Sequence, residues 1–250
     1  MDLNYKKLQA IDMDLLNKKV EWVPMITGMI GAVSADIEGR TAVPGFFVTG
    51  RARSFAPTTY LNGSSLCMAA VTGHITGEVV GKYAASRKSL PIDEGEIEAF
   101  RSNLYAPLGK DGILPKEVFR AIQETVFPAD VCMLKNEVSL KKALAKIESL
   151  RDELLPQMGA KDPHYLMKSI EVRAITALTE LFLRASLMRT ESRAGHYRED
   201  YPYYDNKNWL SWIVISRNGE ELNLRTEPVP FNKYKFKPTR FYSDNFRFPK

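Results

Sequence analysis

Two stretches of the sequence combine residue types that can do chemistry. In the first, an apolar β-rich run, VPGFFVTG over 43–50, ends at Gly50. A polar loop containing Arg51 and Tyr60 follows, and Asn62, Gly63, Ser64, Ser65 and Leu66 open a helix. Asn, Gly and Ser are the types that cap or precede helix N-termini. A helix start offers unsatisfied backbone N–H groups and a partial positive charge, so this unit is equipped to hold an anion, or a group that becomes one. The second stretch is RTESRAGHYREDYPYYDNKNW, residues 189–209. Glu191 and Arg193 read as a structural ion pair or backbone brace. His196 has the side chain suited to proton transfer near neutral pH, with Tyr197 and Arg198 beside it. An orienting or packing role for His196 is the alternative. The tyrosines of YPYYD read as interface or core.

Other chemistries find little support. Cys67 and Cys132 lie far apart, and His74, His164 and His196 do not cluster, so no zinc, haem or iron–sulfur ligand set is spelled out and no metal site is expected. Free thiols suit a reducing compartment. The net charge of +5 is modest for 250 residues. No nucleic-acid module accompanies it, so the basic residues are read as a surface or tail that docks on an acidic partner. The start, MDLNYKKLQAIDMDLLNKK, is too charged for a secretory signal, and no run of apolar residues is long enough to span a membrane. A cytoplasmic protein is the expectation.

The elements that must position these residues follow from pattern. Val20–Val23 and 43–50 read as strands, the second buried. A helix runs from Ser64 to about Ser86, with Gly73, Gly77 and Gly81 on one face. Each glycine costs about 1 kcal/mol of helix propensity, which predicts close approach of another backbone or of a cofactor. Helical periodicity then covers about 93–105, 115–126, 137–155 and 163–189, separated by Pro107, Gly109, Pro128, Pro156, Gly159 and Pro163. In the last of these, Ile170, Ile175, Leu178, Leu181 and Phe182 fall near one stripe and predict the core face. Asn218-Gly219 between alternating runs predicts a hairpin.

With these residues in place, a resemblance emerges. VPGFFVTGRA followed by TTYLNGSSLCMAAVTGHITGE is similar to the C-terminal flavin segment of the fumarate reductase and succinate dehydrogenase flavoprotein superfamily, which also holds L-aspartate oxidase and the adenylylsulfate reductase alpha subunit. ESRAGHYREDYPYYDNKNW resembles that superfamily's second motif, and the tail resembles the reductase alpha subunits more than the dehydrogenases. The resemblance covers about Val20 to Val214. It implies FAD, with Gly50, Arg51, Asn62, Gly63, Ser64, Ser65 and Leu66 as cofactor contacts, and His196, Arg198 and Tyr60 as the catalytic candidates.

The departures are as informative. No G-x-G-x-x-G dinucleotide-binding unit occurs, and the substrate-capping domain is missing. Because the sequence begins with Met1, the expectation is a separately encoded subunit that shares FAD with a partner flavoprotein chain bearing that fold; a proteolytic fragment of a longer protein is the competing explanation. A further iron–sulfur or ferredoxin-like subunit would take the electrons. Arg51 stands where the family has an acidic residue. Tyr60 replaces an arginine that grips a substrate carboxylate, and Thr27 falls near a family histidine. A phenol cannot make the bidentate pair that arginine makes, so fumarate and succinate are poor candidates for substrate. The alternatives are a non-catalytic scaffold of a redox complex and an adenylylsulfate reductase-like subunit. The expected fold class is α+β: an incomplete FAD-domain segment over 1–90 (strands plus a glycine-rich helix), a small helical bundle over 91–190, and the family motif, hairpin and basic tail over 191–250.

Overall fold

The computed structural model describes residues 6–8, 10–14, 31–53, 64–88, 91–219 and 221–235. The Val20–Val23 strand and most of the basic tail fall outside them. Helix α1, Ser64–Ala85, packs one face against the segment 31–53. Its Thr72 and Thr76 are both buried there, as is Val48 opposite them. Phe47 meets Tyr83 edge-on with ring centroids 5.3 Å apart, near the far end of the helix. Gly39 makes this approach possible. Its φ is +84°, and an added Cβ would lie 2.5 Å from Thr76 Oγ1 and 2.6 Å from the Val48 carbonyl oxygen.

The segment 43–50 is not a strand. It makes one isolated antiparallel bridge, Arg40↔Phe47, around a turn in which Gly45 has φ +82°, and it ends in a 3₁₀ turn at Gly50–Arg53. Its alternation and apolar content favour extension, but a strand needs a ladder partner, and among the described residues the chain offers only Arg40.

The bundle forms where the breakers predict. Helix α2 is Glu94–Tyr105, with the Asp93 carboxylate accepting from the Glu96 N–H; α3 is Pro115–Val126, with proline in its first turn. After the short α4, Ala129–Cys132, comes α5, Glu137–Ser149, capped by Asn136. The long α6, Pro163–Met188, is capped by Asp162. Helix α5 does not run on to 155 as an α-helix: it loosens into a π turn at Leu150–Leu154 and a 3₁₀ turn at Leu155–Gln157. Pro156 has no N–H and crowds the preceding turn, so the α pattern cannot pass through it.

Val118, Ile122, Leu140, Ile147, Leu150 and Leu183 form the buried core of α3, α5 and α6. Burying each such side chain contributes about 1.5–3 kcal/mol. The face that α6 turns inward differs from the apolar stripe. Ile175 and Phe182 pack on the core, but Ile170 and Leu178 are exposed, while Ser169, Thr176, Thr179 and Ser186 are buried. Small hydroxyls can face a core because they satisfy themselves locally: Thr176 donates to the Val172 carbonyl and Ser169 to that of Leu166, both at 2.8 Å.

Two loops cross at the base of the bundle. The Ile113 N–H donates to the Gln157 carbonyl and the Gly159 N–H to that of Ile113. At the crossing, a Cβ on Gly112 would collide with the Gln157 carbonyl oxygen, and one on Gly159 with that of Lys110. After the bundle comes the short α7, Asn206–Trp209. Strands β1, Ser211–Asn218, and β2, Glu221–Pro228, then pair antiparallel from Ser211↔Pro228 to Asn218↔Glu221. Gly219 in the turn has φ +60°. Among the described residues no helix is long and apolar enough to cross a membrane.

Candidate functional site

The first predicted site is partly visible. Ser64 begins α1, and the side chains of Ser65 and Leu66 point to solvent, Leu66 at 80% exposure. Two side chains in the first turn of this 22-residue helix thus face solvent. Gly50, with φ +58°, opens the adjacent 3₁₀ turn, and the next residue, Arg51, is exposed. Tyr60, Asn62 and Gly63 lie outside the described residues, as do Thr27 and the side chain of Ser64.

A residue that sequence reasoning does not single out ties these pieces together. The Thr72 hydroxyl accepts from the Gly50 N–H and from the Thr49 hydroxyl, each at 3.0 Å, and donates to the Met68 carbonyl at 2.7 Å. Gly50 also packs against Ala69, 3.7 Å from where its Cβ would be. Thr72 thus pins the glycine turn to the third turn of α1. The one available signal is a threonine inside a glycine-bearing helix, whose hydroxyl can reach the carbonyl four residues back. Of the glycines, Gly73 is approached by Thr49 Oγ1, 3.9 Å from its Cβ position, whereas Gly77 and Gly81 have nothing within 4 Å among the described residues.

The second motif folds around Glu191, which is fully buried. Its carboxylate accepts from Arg189 at 2.7 Å, from Arg193 at 2.8 and 2.9 Å, and from the Asp205 N–H at 2.9 Å. Arg189 continues to the carbonyls of Trp209 and Ser211 and lies over the Trp209 ring. Arg193 continues to Asn206 and lies over Tyr204. The predicted Glu191–Arg193 ion pair is present, with Arg189 as a second arginine to which the motif alone does not point.

Arg198 is 1% exposed. Its Nε and Nη2 bind the two oxygens of Asp200, each at 2.7 Å, and its Nη1 reaches the Ser186 carbonyl at 2.7 Å. Burial pushes the Asp200 carboxyl up, but Arg198 and the Glu137 N–H together hold it below the usual carboxylate range. The guanidinium is therefore committed inside the protein, closed off from a substrate. His196 donates through Nε2 to the Arg189 carbonyl at 3.2 Å. Burial, then Lys135, with smaller contributions from Arg189 and Arg198, bring its pKa down to about 4, so the ring is neutral at neutral pH. Lys135, itself buried, joins this loop by backbone pairing: its N–H donates to the Tyr197 carbonyl and its carbonyl accepts from Glu199. The structure brings His196 and Arg198 together as parts of a brace, and it groups Gly50 and Arg51 with α1. Among the described residues no group of His, Cys, Asp and Glu is arranged to hold a metal ion.

The chain is similar to known proteins in sequence and in fold. Residues 120–241 match the family model described as fumarate reductase flavoprotein C-term. The chain is 27% identical over 220 residues to a fumarate reductase (CoM/CoB) chain of Methanothermobacter marburgensis, covering 85% of this chain and 40% of that protein. It is 24% identical over 232 residues to the fumarate reductase flavoprotein subunit of Mycobacterium tuberculosis, covering 86% and 39%. The solved Mycobacterium smegmatis Sdh1 complex in its apo form shares the fold with a TM-score of 0.78 at 22% identity, covering 90% of this chain and 40% of that one. The chain thus spans about 40% of the length of the curated relatives it matches.

Proposed function

We propose, from the match of residues 120–241 to the C-terminal model of the fumarate reductase flavoprotein family, that this chain supplies the closing segment of a flavin site in an FAD-dependent oxidoreductase complex. The observation that carries the proposal is the pinning of the Gly50 turn to the N-terminal half of α1, whose Ser65 and Leu66 side chains face solvent. The donor set fits the group. Backbone N–H groups at a helix start suit the electron-rich edge of a flavin ring, and the bare glycine at 50 lets a ligand approach the main chain. Arg51, exposed next to it, suits the pyrophosphate. When bound, FAD would supply hydride and electron transfer. In this reading the chain's own residues would hold and orient it: Ser64, Ser65 and Leu66 at the start of α1, with Asn62 and Gly63 before them in sequence, and Gly50 and Arg51 from the adjacent turn, while His196 and Arg198 brace their own motif.

The adenine-dinucleotide part would come from a G-x-G-x-x-G fold outside these 250 residues, which this reading assigns to a partner chain. An electron acceptor carrying an iron–sulfur cluster is likewise assigned to a partner, since two distant cysteines cannot hold one. Tyr60 and Thr27, at the positions where the resemblance puts substrate-gripping arginine and histidine, point to a substrate other than fumarate or succinate.

Affinity purification of the tagged chain from its native host, with mass spectrometry and a visible spectrum, tests this reading. A partner with the dinucleotide fold and bound flavin is the expected result. A partner without flavin overturns the reading in favour of a scaffold role, which the residues at Thr27, Arg51 and Tyr60 also suit. Stoichiometric flavin on the isolated chain would overturn the shared site.

A further inference from the structure

We infer that Thr72 is a positioning residue for the flavin site: its hydroxyl sets where Gly50 and Arg51 sit relative to the start of α1. The inference rests on the flavin reading given above and adds to it a residue that touches no ligand. Three hydrogen bonds meet at this one oxygen. It accepts from the Gly50 amide and the Thr49 hydroxyl, both at 3.0 Å, and donates its own proton to the Met68 carbonyl at 2.7 Å. That count uses both lone pairs and the single donor of a hydroxyl, so the group has no freedom to rotate to another partner. Gly50 sits in the left-handed region at φ +58°, so the turn has no extended alternative that keeps the amide where it is.

A comparison inside the same helix isolates the effect. Thr76 lies one turn on, on the same face, and is exposed to the same 4% as Thr72. Among the described residues its Oγ1 has no hydrogen-bond partner. The two threonines therefore match in type, helix and burial, and they differ in whether the hydroxyl holds anything. Thr76 packs on Gly39, at the opposite side of the 31–53 segment from the Gly50 turn. A role confined to packing would be shared by both residues, and a positioning role belongs to Thr72 alone.

The test uses the complex purified through this chain, carrying wild type, Thr72→Val, Thr72→Ser or Thr76→Val. The readouts are amide hydrogen exchange at Gly50, retained flavin per chain, and the flavin midpoint potential. Valine keeps the shape and removes the hydroxyl, leaving the Gly50 amide without its acceptor. Thr72→Val is expected to speed exchange at Gly50 and to weaken flavin retention, each by roughly tenfold, and to shift the potential. Thr72→Ser restores all three, and Thr76→Val leaves flavin and potential at wild-type values. Faster exchange at Gly50 with flavin and potential unmoved would overturn the positioning role while the flavin reading stands. Equal losses in Thr72→Val and Thr76→Val would overturn it in favour of packing. A wild-type complex without flavin would remove the flavin reading, and this inference with it.

Discussion

Arg198 donates to the Ser186 carbonyl at 2.7 Å, so a side chain from the loop beyond α6 closes the last turn of that helix. Its partner Asp200 accepts the Glu137 N–H at 2.9 Å, at the first turn of α5. The cation thus meets the carbonyl end of one helix and the anion meets the amide end of another. Each charge is placed against a helix terminus of opposite sign, which adds to the attraction between the two side chains. The pair is a rivet between two helices and the family motif.

Arg198→Met should therefore cost about 1–3 kcal/mol, because it leaves the buried α6 carbonyls without their donor, while the solvent-facing Asp200 can turn to water. Urea denaturation followed by circular dichroism measures it. A loss under about 1 kcal/mol, the range of an exposed pair, would show that the rivet holds nothing.

Glu191→Ala should be more damaging, because the carboxylate it removes is fully buried. Two arginines, Arg189 and Arg193, would be left facing each other across the space the carboxylate filled. Breaking a buried pair in this way costs about 3–5 kcal/mol. Arg189 also covers Trp209, with its guanidinium 4.8 Å from the ring centre, so a red shift in tryptophan emission should accompany the fall in melting temperature. An unchanged spectrum would contradict the brace.

His196 gives the fold an acid limit. Burial and Lys135 hold its pKa at about 4 against the ordinary 6.5, so between those values the unfolded chain binds the proton and the folded chain does not. Stability is then fully present above 6.5, declines as pH falls through the window, and levels off below about 4. At about 1.4 kcal/mol per unit, the loss reaches about 3 kcal/mol. Unfolding free energy measured against pH should slope across the upper part of this window in the wild type and flatten in His196→Gln. Equal slopes would assign the dependence to other groups.

Gly39→Ala should detach the 31–53 segment from α1 while leaving the bundle folded. The new methyl meets Thr76 and the Val48 carbonyl, and φ +84° is strained for alanine in any case. Hydrogen exchange should rise at Val48, whose amide donates to the Gly39 carbonyl at 2.9 Å, with α5 and α6 unchanged. Retained protection at Val48 would show that the segment is held elsewhere.

The helices are legible in the sequence because proline, glycine and capping residues act locally. Periodicity and breakers put helix starts near 93, 115, 137 and 163, and the structure reproduces them to within a residue or two. The core face of α6 is harder to see, because buried Thr176 and Ser169 use their own helix for hydrogen bonds and leave no mark in an apolar count. The 43–50 segment fails as a strand because strand formation depends on a partner that periodicity cannot supply. At the candidate site, the Glu191–Arg193 pair is readable from charge and spacing. The neutrality of His196 and the enclosure of Arg198 depend on burial by residues far along the chain, among them Lys135. Thr72 is hidden for the same reason, since its partner at Gly50 lies 22 positions away.

The crossing at Gly112 and Gly159 bears on how such a fold can drift. Each glycine is blocked by main-chain atoms near the other, so enlarging one cannot be offset by shrinking a neighbouring side chain, as it can in a packed core. The two positions are fixed as a couple, and only a rerouting of both loops would release either. A pair of glycines, one before the first core helix and one before the last, is therefore a mark by which this crossing can be searched for in chains too divergent to align.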